Sequence, residues 1–424
     1  MKSVYYRELE EECKLVTLSN GLPVCVIPKP CYTHAHAFYA VNYGSVDTSF
    51  IQNGKLLTTP NGIAHYLEHK MFDMPYGDAM NQFAKFGGNP NAFTSYNMTA
   101  YYVDCTENWQ ENLTTLLEFV STPYFTEASV EKERGIIAQE IKMYEDNPDS
   151  RMYDDLFKAV FRFHPIRVPI AGTVQSIEGI TARLLEECHS VFYSPGNSML
   201  CVMGNVDADE VAEIAEKTIP KNNRAQFVRY YGKEEPERVA KKFIKRKMEV
   251  SMPSFLVGFK LKEAERGQEA MKAEYVGDLA ADLLLGCSSR LYQDIYEKGL
   301  IDSSFSAGYD GIRSASVFTA GGDSRDPDAV MEAIVKAADN ASREGFEDAY
   351  FQRIVSATIG RKLRDVDSFE NTCYRICSYA FDGADYFSFR EVLRSITQQD
   401  VCDFLKACLM EDRSTLAVIY PKGE

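Results

Sequence analysis

Two of the six histidines in this 424-residue sequence, His65 and His69, are four positions apart, and Glu68 lies between them. In a helix the two imidazoles would lie on one face, one turn apart, because successive residues rotate by about 100°. They could then occupy two corners of a tetrahedral Zn²⁺ site, and Glu68 could deprotonate a water on the metal. The spacing therefore predicts metal-assisted hydrolysis. The alternative is an ordinary helix that exposes two histidines.

A catalytic zinc has three protein ligands and one open position, so a third ligand must come from another part of the chain. A predicted helix over 129–145 offers several carboxylates, and Glu133 and Glu140 share one of its faces because they are two turns apart. Such a pair alone is more typical of a solvated helix surface. Its occurrence together with the His-x-x-Glu-His motif favours a metal site. The remaining histidines have no comparable sequence context: His34, His36, His164 and His189.

Recognisable strand and helix patterns surround these residues. Asn20-Gly21 separates two alternating apolar runs within 13–29, which predicts a β-hairpin. The motif itself falls in a helical pattern over 60–73. Other strand patterns cover 35–45, 91–105 and 198–206, and other helical patterns cover 108–145 and 149–192.

The chain contains a weak internal repeat, because residues 131–161 resemble residues 351–381. Each segment is followed by a further helix and a closing strand, so we expect two related halves. The second half has no His-x-x-Glu-His motif, and Thr358 falls near the position at which Glu140 would repeat. The repeat therefore predicts one active half and one degenerate half.

The composition sets further limits on function. The domains that we predict are 1–222 and 243–424, joined by a polar linker over 223–242. A net charge of −16, with basic residues clustered only at 240–247, argues against a nucleic-acid surface. The acidity fits a soluble cytosolic protein, or an interior that attracts cationic peptides. No run of eighteen apolar residues and no apolar signal core occur, so we expect no membrane association.

The cysteines indicate a reducing compartment. Eleven cysteines fall mostly inside apolar runs, and none forms a Cys-x-x-Cys pair. We therefore expect free thiols and a cytoplasmic location.

The stretch "HYLEH" is the inverted zinc-peptidase motif, and its surroundings resemble the pitrilysin/insulinase family. The resemblance is to the short two-domain subfamily that includes mitochondrial processing peptidase and bacterial zinc-dependent processing proteases. It extends over essentially the whole chain. It includes "GGNPNAFTSYNMTAYY" at 87–102, "EKERGIIAQEIKMYEDNP" at 131–148 and "FYSPGNSMLCVMGNVD" at 192–207.

The resemblance implies an α+β fold with two homologous domains, each a mainly antiparallel sheet with helices on one face, enclosing a chamber. It implies that His65, His69 and Glu140 bind one Zn²⁺ per chain. By the same match, Glu68 is the general base and Glu133 is a carboxylate that supports the site. The activity implied is that of a zinc-dependent endopeptidase acting on short or unfolded peptides.

Substrate contacts are expected from the strand that contains "NAFTS" at 91–95. In the family the corresponding edge strand binds the peptide through main-chain hydrogen bonds, a form of β-augmentation. Asn91, Ala92 and Phe93 are therefore our candidates for substrate binding. The alternative is an internal strand with Phe93 in the core.

The sequence departs from the family in its second half. There an Arg and a Tyr hold the substrate's carbonyl oxygens, but Tyr296 and Asp302 stand at or near those positions here, and Arg290 matches a different arginine. Some bacterial members are heterodimers in which one subunit carries zinc and the other carries this pair. The sequence fits the zinc-bearing subunit of such a pair, and a homodimer is the other possibility. The competing hypothesis is a non-catalytic scaffold subunit that retains zinc.

Overall fold

The structure, a computed structural model, describes residues 1–221, 226–262, 266–410 and 412–423. The first residues of the predicted linker, 223–225, lie outside the described residues. Within the described ranges the chain has the mixed α+β fold that the sequence predicts. None of the helices in these ranges is long and apolar enough to cross a membrane.

The strands of the described part, in chain order, are β1 (Lys2–Tyr6), β2 (Glu11–Thr17), β3 (Pro23–Pro28), β4 (Ala35–Val41), β5 (Ser49–Gln52), β6 (Lys55–Thr58), β7 (Asp73–Met74), β8 (Gly77–Asp78), β9 (Asn89–Thr94), β10 (Thr99–Cys105), β11 (Ser198–Gly204), β12 (Phe227–Arg229), β13 (Phe243–Met248), β14 (Ser254–Leu261), β15 (Ser306–Ile312), β16 (Ala315–Asp323) and β17 (Ser414–Pro421).

The α-helices of the described part are α1 (Ile63–Met71), α2 (Met80–Lys85), α3 (Trp109–Ser121), α4 (Glu127–Asp146), α5 (Pro148–Val160), α6 (Val174–Ile177), α7 (Ala182–Phe192), α8 (Ala208–Thr218), α9 (Gln268–Leu285), α10 (Arg290–Glu297), α11 (Pro327–Glu344), α12 (Asp348–Asp365), α13 (Phe369–Asp382), α14 (Phe389–Ser395) and α15 (Gln398–Cys408).

The first compact unit, unit 1, is built on a seven-stranded sheet with the order β1-β2-β3-β11-β4-β10-β9. All neighbours are antiparallel except β3 and β11. Alternate side chains such as Tyr39 and Tyr101 form the main core with α1, α3, α7 and α8. On the opposite face Phe93 packs against Tyr374 of α13, with ring centroids 5.9 Å apart. Unit 1 contains Met1–Ile141, Pro169–Tyr231 and Leu363–Phe381.

The second compact unit, unit 2, is built on a five-stranded sheet with the order β13-β17-β14-β16-β15. Here β13 and β17 are the parallel pair. Helix α5 packs closely on this sheet, because a Cβ on Gly258 would lie only 2.8 Å from Leu156 Cδ1. Unit 2 contains Lys142–Val168, Gly232–Lys362 and Asp382–Glu424.

The two sheets share one topology. The strands β3-β11-β4-β10-β9 of unit 1 correspond in order and direction to β13-β17-β14-β16-β15 of unit 2. Helices α4 and α5 likewise correspond to α12 and α13, the segments in which the sequence repeat is visible. The structure therefore contains two versions of one α+β plan.

The repeats exchange one helix each. Helix α5 follows the first repeat's long helix but packs in unit 2, and its counterpart α13 packs in unit 1. The compact units are therefore discontinuous in sequence and divide the chain differently from the contiguous domains 1–222 and 243–424. The sequence analysis expected helices on one face of each sheet. Because of the exchange, the unit 1 sheet also has a helix, α13, on its other face. A chamber between the halves stays a prediction.

Candidate metal centre

Helix α1 carries the two motif histidines and is held firmly in unit 1. It begins after Gly62, which has a left-handed backbone conformation with a φ of 88°. Gly62 also lies against another loop, because a Cβ at this position would be only 2.4 Å from the Ala171 carbonyl oxygen. Tyr66 and Leu67 are fully buried in the core. This anchoring fixes the direction in which the other face of the helix points, and that face carries His65 and His69.

Helix α4 supplies the carboxylates that face α1. Its buried residues include Ile137 and Ile141, which hold the helix on the core, while Glu133 and Glu140 are half-buried on the side toward the histidines. The Tyr66 hydroxyl donates a hydrogen bond to a main-chain carbonyl of α4, so the two helices are also linked directly. The face of α4 that carries Glu133 and Glu140 is therefore the one directed toward α1.

His65, His69 and Glu140 converge on one point. The Nε2 atom of His65 lies 3.5 Å from Glu140 Oε1, and Nε2 of His69 lies 3.4 Å from Glu140 Oε2. The two imidazole centroids are 4.6 Å apart. Each of the three side chains offers one possible ligand atom, and these atoms all lie within 4.8 Å of one another. Among the residues that the structure describes, no other group of three His, Cys, Asp or Glu side chains meets this criterion.

The donor set fits a zinc ion. Two ligand atoms at about 2.1 Å from a tetrahedral metal are separated by roughly 3.4 Å, and each imidazole nitrogen lies about that far from one of the two Glu140 oxygens. Two imidazole nitrogens and one carboxylate oxygen leave one of the four positions open. The Nε2 atom of His65 is the one directed at the shared point, and its Nδ1 atom is buried without a hydrogen-bond partner among the described residues.

Glu133 contacts the ring nitrogen of His69 that does not face Glu140. Its Oε1 atom lies 3.0 Å from Nδ1 of His69. A proton on Nδ1 would be donated to this carboxylate, which leaves the lone pair of Nε2 for a metal. Burial by itself would lower the pKa of His69, but the Glu133 hydrogen bond and the Glu68 and Glu140 charges outweigh it and raise this pKa.

Glu68 lies beside the donor set and is 8% exposed. Burial raises the pKa of its carboxyl, and the positive potential of His65 and a hydrogen bond from Thr94 oppose that rise. The Thr94 Oγ1 atom donates to Glu68 Oε2 at 2.6 Å. The carboxylate is thus oriented by a neighbour on β9 that the sequence analysis did not identify. Thr94 shares a strand face with Ala92, so the two-residue period of the strand was the available signal.

Strand β9 is the edge of the seven-stranded sheet, and its described pairing is with β10. Asn91 is exposed, and its Oδ1 atom accepts a hydrogen bond from the Ala92 N–H at 2.9 Å. Phe93 points to the opposite face, where its ring packs near Phe38 and Tyr102. The structure therefore brings Ala92 and Thr94 to the side of Glu68, whereas Phe93 can offer this side only its main chain.

Unit 2 has ion pairs at the corresponding place. Asp278 and Asp282 of α9 have the same four-residue spacing as the motif histidines. Lys362 Nζ of α12 lies 3.6 Å from Asp278 Oδ2, and Arg361 forms an ion pair with Asp282. Thr358 also donates to Asp282, at 3.3 Å. Cations of the chain itself therefore pair with both of these carboxylates.

The residues at or near the positions of the family's Arg and Tyr make local contacts in unit 2. Tyr296 is half-exposed on α10, and its ring stacks on that of Tyr292 at 5.8 Å. Asp302 accepts hydrogen bonds from the main chain and hydroxyl of Ser304 and so stabilises a turn. Arg290 is the first residue of α10. None of these contacts reproduces the Arg/Tyr pair of the resembling family.

Two of the histidines without sequence context do meet a carboxylate. His34 Nε2 and His36 Nδ1 lie 2.7 and 2.8 Å from the same Asp104 oxygen. Hydrogen bonds from His36 and His34 outweigh the effect of burial and lower the pKa of Asp104. The trio lies on the α13 side of the unit 1 sheet, since the His34 ring stacks on Phe369 at 5.0 Å. It holds α13 rather than joining the site.

The sequence of this chain is similar to those of known proteins. A family model described as "Insulinase (Peptidase family M16)" matches residues 50–174, and one described as "Peptidase M16 inactive domain" matches residues 179–358. The chain is 38% identical to the uncharacterized zinc protease YmfH of Bacillus subtilis (strain 168), over 100% of both chains. The chain belongs to the M16 family of peptidases. The pitrilysin/insulinase resemblance is thereby confirmed.

Two solved structures share the fold of this chain. The crystal structure of an M16-like peptidase from Alicyclobacillus acidocaldarius has a TM-score of 0.94 at 33% identity, over 97% of this chain and 99% of that one. A protease from Helicobacter pylori has a TM-score of 0.82 at 20% identity, over 97% of this chain and 100% of that one. The second likeness concerns the fold alone. YmfH is described as a zinc protease. The segment described as inactive, residues 179–358, includes the first part of the half that lacks the motif.

Proposed function

We propose that this M16 chain is a zinc-dependent endopeptidase with one Zn²⁺ per chain. The observation that carries the proposal is the convergence of His65, His69 and Glu140 within 4.8 Å, next to a buried and oriented Glu68. A bound zinc would supply Lewis-acid chemistry, polarising the scissile carbonyl and lowering the pKa of a water.

Glu68 is the proposed general base. Its carboxyl would take a proton from the attacking water and later pass it to the leaving amine. Burial favours the neutral form after the first transfer, and the Thr94 hydroxyl keeps the carboxyl pointed toward the reacting atoms. Glu133 would hold His69 in position throughout.

The proposed substrates are short or unfolded peptides. The free edge of β9 ends at Thr94, whose hydroxyl contacts Glu68, so a peptide added to this edge would run directly past the base. Asn91 and Ala92 are the proposed contacts, with the Asn91 amide released from the Ala92 N–H when a substrate strand binds. Phe93 would contribute through its main chain.

The test combines metal analysis with peptide hydrolysis. Purified chain should contain about one zinc, and His65→Ala should lose it. Glu68→Gln should retain zinc while hydrolysis of a mixed pool of unstructured peptides falls by at least about 10²-fold, the usual size of a general-base contribution. A scaffold that retains zinc, the competing hypothesis, predicts no difference between wild type and Glu68→Gln. Hydrolysis that persists in Glu68→Gln would exclude this residue as the base.

A homologous partner subunit is part of the proposal. Tyr296 and Asp302 engage in local contacts of unit 2, so the Arg/Tyr pair that holds substrate carbonyls in the family has no equivalent there. We propose that a second M16 subunit supplies it in a cytoplasmic heterodimer. Addition of such a subunit should raise kcat/KM, and its Arg→Ala variant should not. Full activity of the isolated chain, whether a monomer or a homodimer, would contradict the need for this partner.

A further inference from the structure

Four of the eight residues that line a cleft of about 210 Å³ in unit 2 are basic, and all four are exposed. Two of them, Lys241 and Lys242, belong to the basic stretch at 240–247 that the sequence singles out in an otherwise acidic chain. Two more, Arg162 and Arg238, come from other parts of the chain. The structure therefore turns a linear cluster into a concave site with four cations.

The cations of this cleft are poorly neutralised. One carboxylate, that of Asp412, lines the cleft, and it is paired with Lys242 Nζ at 2.5 Å. Within the described part of the chain, no carboxylate lies within 4 Å of the charged groups of Arg162, Arg238 or Lys241. Arg183, another exposed arginine, is by contrast paired with Glu187 at 2.9 Å. Three unpaired cations around one small cavity repel each other, and an anion would relieve that repulsion.

The wall of the cleft is held by main-chain hydrogen bonds. The Val239 N–H donates to the Asp412 carbonyl at 2.8 Å, and the Lys241 N–H donates to the Ala159 carbonyl at 2.9 Å. The Arg162 N–H donates to Glu235 Oε2 at 3.1 Å. The backbone positions of the basic residues are thus already set, which reduces the ordering cost of binding a ligand.

A purely structural explanation covers only part of this pattern. Lysines on an edge strand such as β13 prevent unwanted pairing of the strand edge, which accounts for Lys245 and Lys247. Arg162 and Arg238 are not on that strand, and both line the cleft. Arginine has a planar, forked guanidinium group that matches the oxygens of phosphate in pairs.

We propose that this cleft binds a small phosphate-type anion. The volume is below the usual range of pockets that enclose whole cofactors, so it suits a phosphate or pyrophosphate group. Arg162 and Arg238 form the paired hydrogen bonds, and Lys241 contributes charge. The group is either free in solution or exposed on a lipid headgroup. This site is separate from the proposed peptidase activity and does not depend on it.

The test is equilibrium binding of inorganic phosphate and pyrophosphate to the full chain, by titration calorimetry at constant ionic strength with chloride as the reference anion. Arg162→Gln/Arg238→Gln should weaken pyrophosphate binding about tenfold or more. Arg162→Lys/Arg238→Lys, which keeps the charge, should weaken it less. Arg183→Gln is the matched control, an exposed arginine with its own partner, and should bind as wild type does.

A second arm identifies the source of the phosphate. Vesicles of phosphatidylglycerol should co-sediment with the wild-type chain but not with Arg162→Gln/Arg238→Gln if the ligand is a headgroup, and phosphatidylcholine vesicles are the control. Pyrophosphate binding without vesicle binding assigns the site to a soluble anion. Failure of both ligands, or binding that the double glutamine variant retains, would overturn the proposal. Circular dichroism of each variant confirms that it is folded.

Discussion

The Nδ1 atom of His69 lies 3.0 Å from Oε1 of Glu133, a residue seven positions before Glu140 on the same helix. This contact leaves His69 Nε2 to face Glu140, so one helix supplies a proposed ligand and also orients another ligand. The arrangement depends on two full turns of α4, which carry the two carboxylates on one face.

Glu133→Gln should therefore lower zinc affinity by about 10- to 100-fold, as is usual when the partner of a metal-binding histidine is changed. The change removes the charge that favours donation from His69 Nδ1. Competition with a fluorescent zinc chelator measures the affinity. Glu127→Gln is the matched control, since Glu127 is an exposed acid in the first turn of the same helix. Equal affinities of the two variants would show that Glu133 does not support the site.

Thr94→Val should lower kcat/KM by about tenfold, because a hydrogen bond to a charged group contributes about 1.5–3 kcal/mol. Valine keeps the shape of the side chain but cannot donate to Glu68, while zinc content should be unchanged. Thr94→Ser keeps the hydroxyl and should restore most of the activity. The measurement is kcat/KM for one peptide with wild type and the two variants. If Thr94→Ser were as inactive as Thr94→Val, the loss would come from changed packing of the side chain and not from the missing hydroxyl.

Asp155→Asn should destabilise unit 2 by about 1–3 kcal/mol, because it weakens the pairing of a buried carboxylate with Arg246, whose side chain is still partly exposed to water. Asp155 is 3% exposed on α5, and its two carboxylate oxygens accept from Arg246 Nε and Nη2 at 2.6 and 2.7 Å. By accepting these hydrogen bonds, the Asp155 carboxylate also raises the pKa of Arg246. Urea denaturation, with hydrogen exchange of α5, measures the loss.

The control for this variant is Glu187→Gln. Glu187 pairs with Arg183 at 2.9 Å on an exposed face of α7, and such pairs contribute only about 0–1 kcal/mol. If Asp155→Asn were no more harmful than this control, the ion pair would not be what holds the exchanged helix α5 on its sheet.

The stability of the chain should fall on acidification because of His189. Burial lowers the pKa of His189 to about 4, despite the Val120 carbonyl that lies 3.0 Å from its Nε2 atom. Its folded pKa is below the unfolded value of about 6.5. Between pH 6.5 and 4 the unfolded chain therefore takes up a proton that the folded chain does not, and about 3 kcal/mol of stability is lost in that window.

His189→Gln removes the titrating group and keeps a donor for the Val120 carbonyl. The difference in free energy of unfolding between pH 7.5 and pH 4 should then be smaller by about 3 kcal/mol than in wild type. Urea titrations at both pH values measure this difference. An unchanged pH dependence would mean that His189 is already protonated in the folded protein at pH 5.

Much of the candidate site could be predicted from local sequence. The pairs His65/His69 and Glu133/Glu140 owe their geometry to helical periodicity, which acts over one or two turns and needs no tertiary information. The absence of the motif from the second half was equally visible. The pairing of Asp278 and Asp282 with cations was not visible, because ion pairs between α9 and α12 depend on how those helices pack.

By itself, then, the sequence determined which residues could bind a metal, that the chain has two related halves, and which half lacks the His-x-x-Glu-His motif. Only the tertiary structure decided that α5 and α13 change places between the units, that Thr94 reaches Glu68, and that Arg162 joins Arg238 in one cleft. Each of these rests on contacts between segments far apart in the chain. An amphipathic helix or an edge strand records in its sequence that it must be covered, but not by which partner.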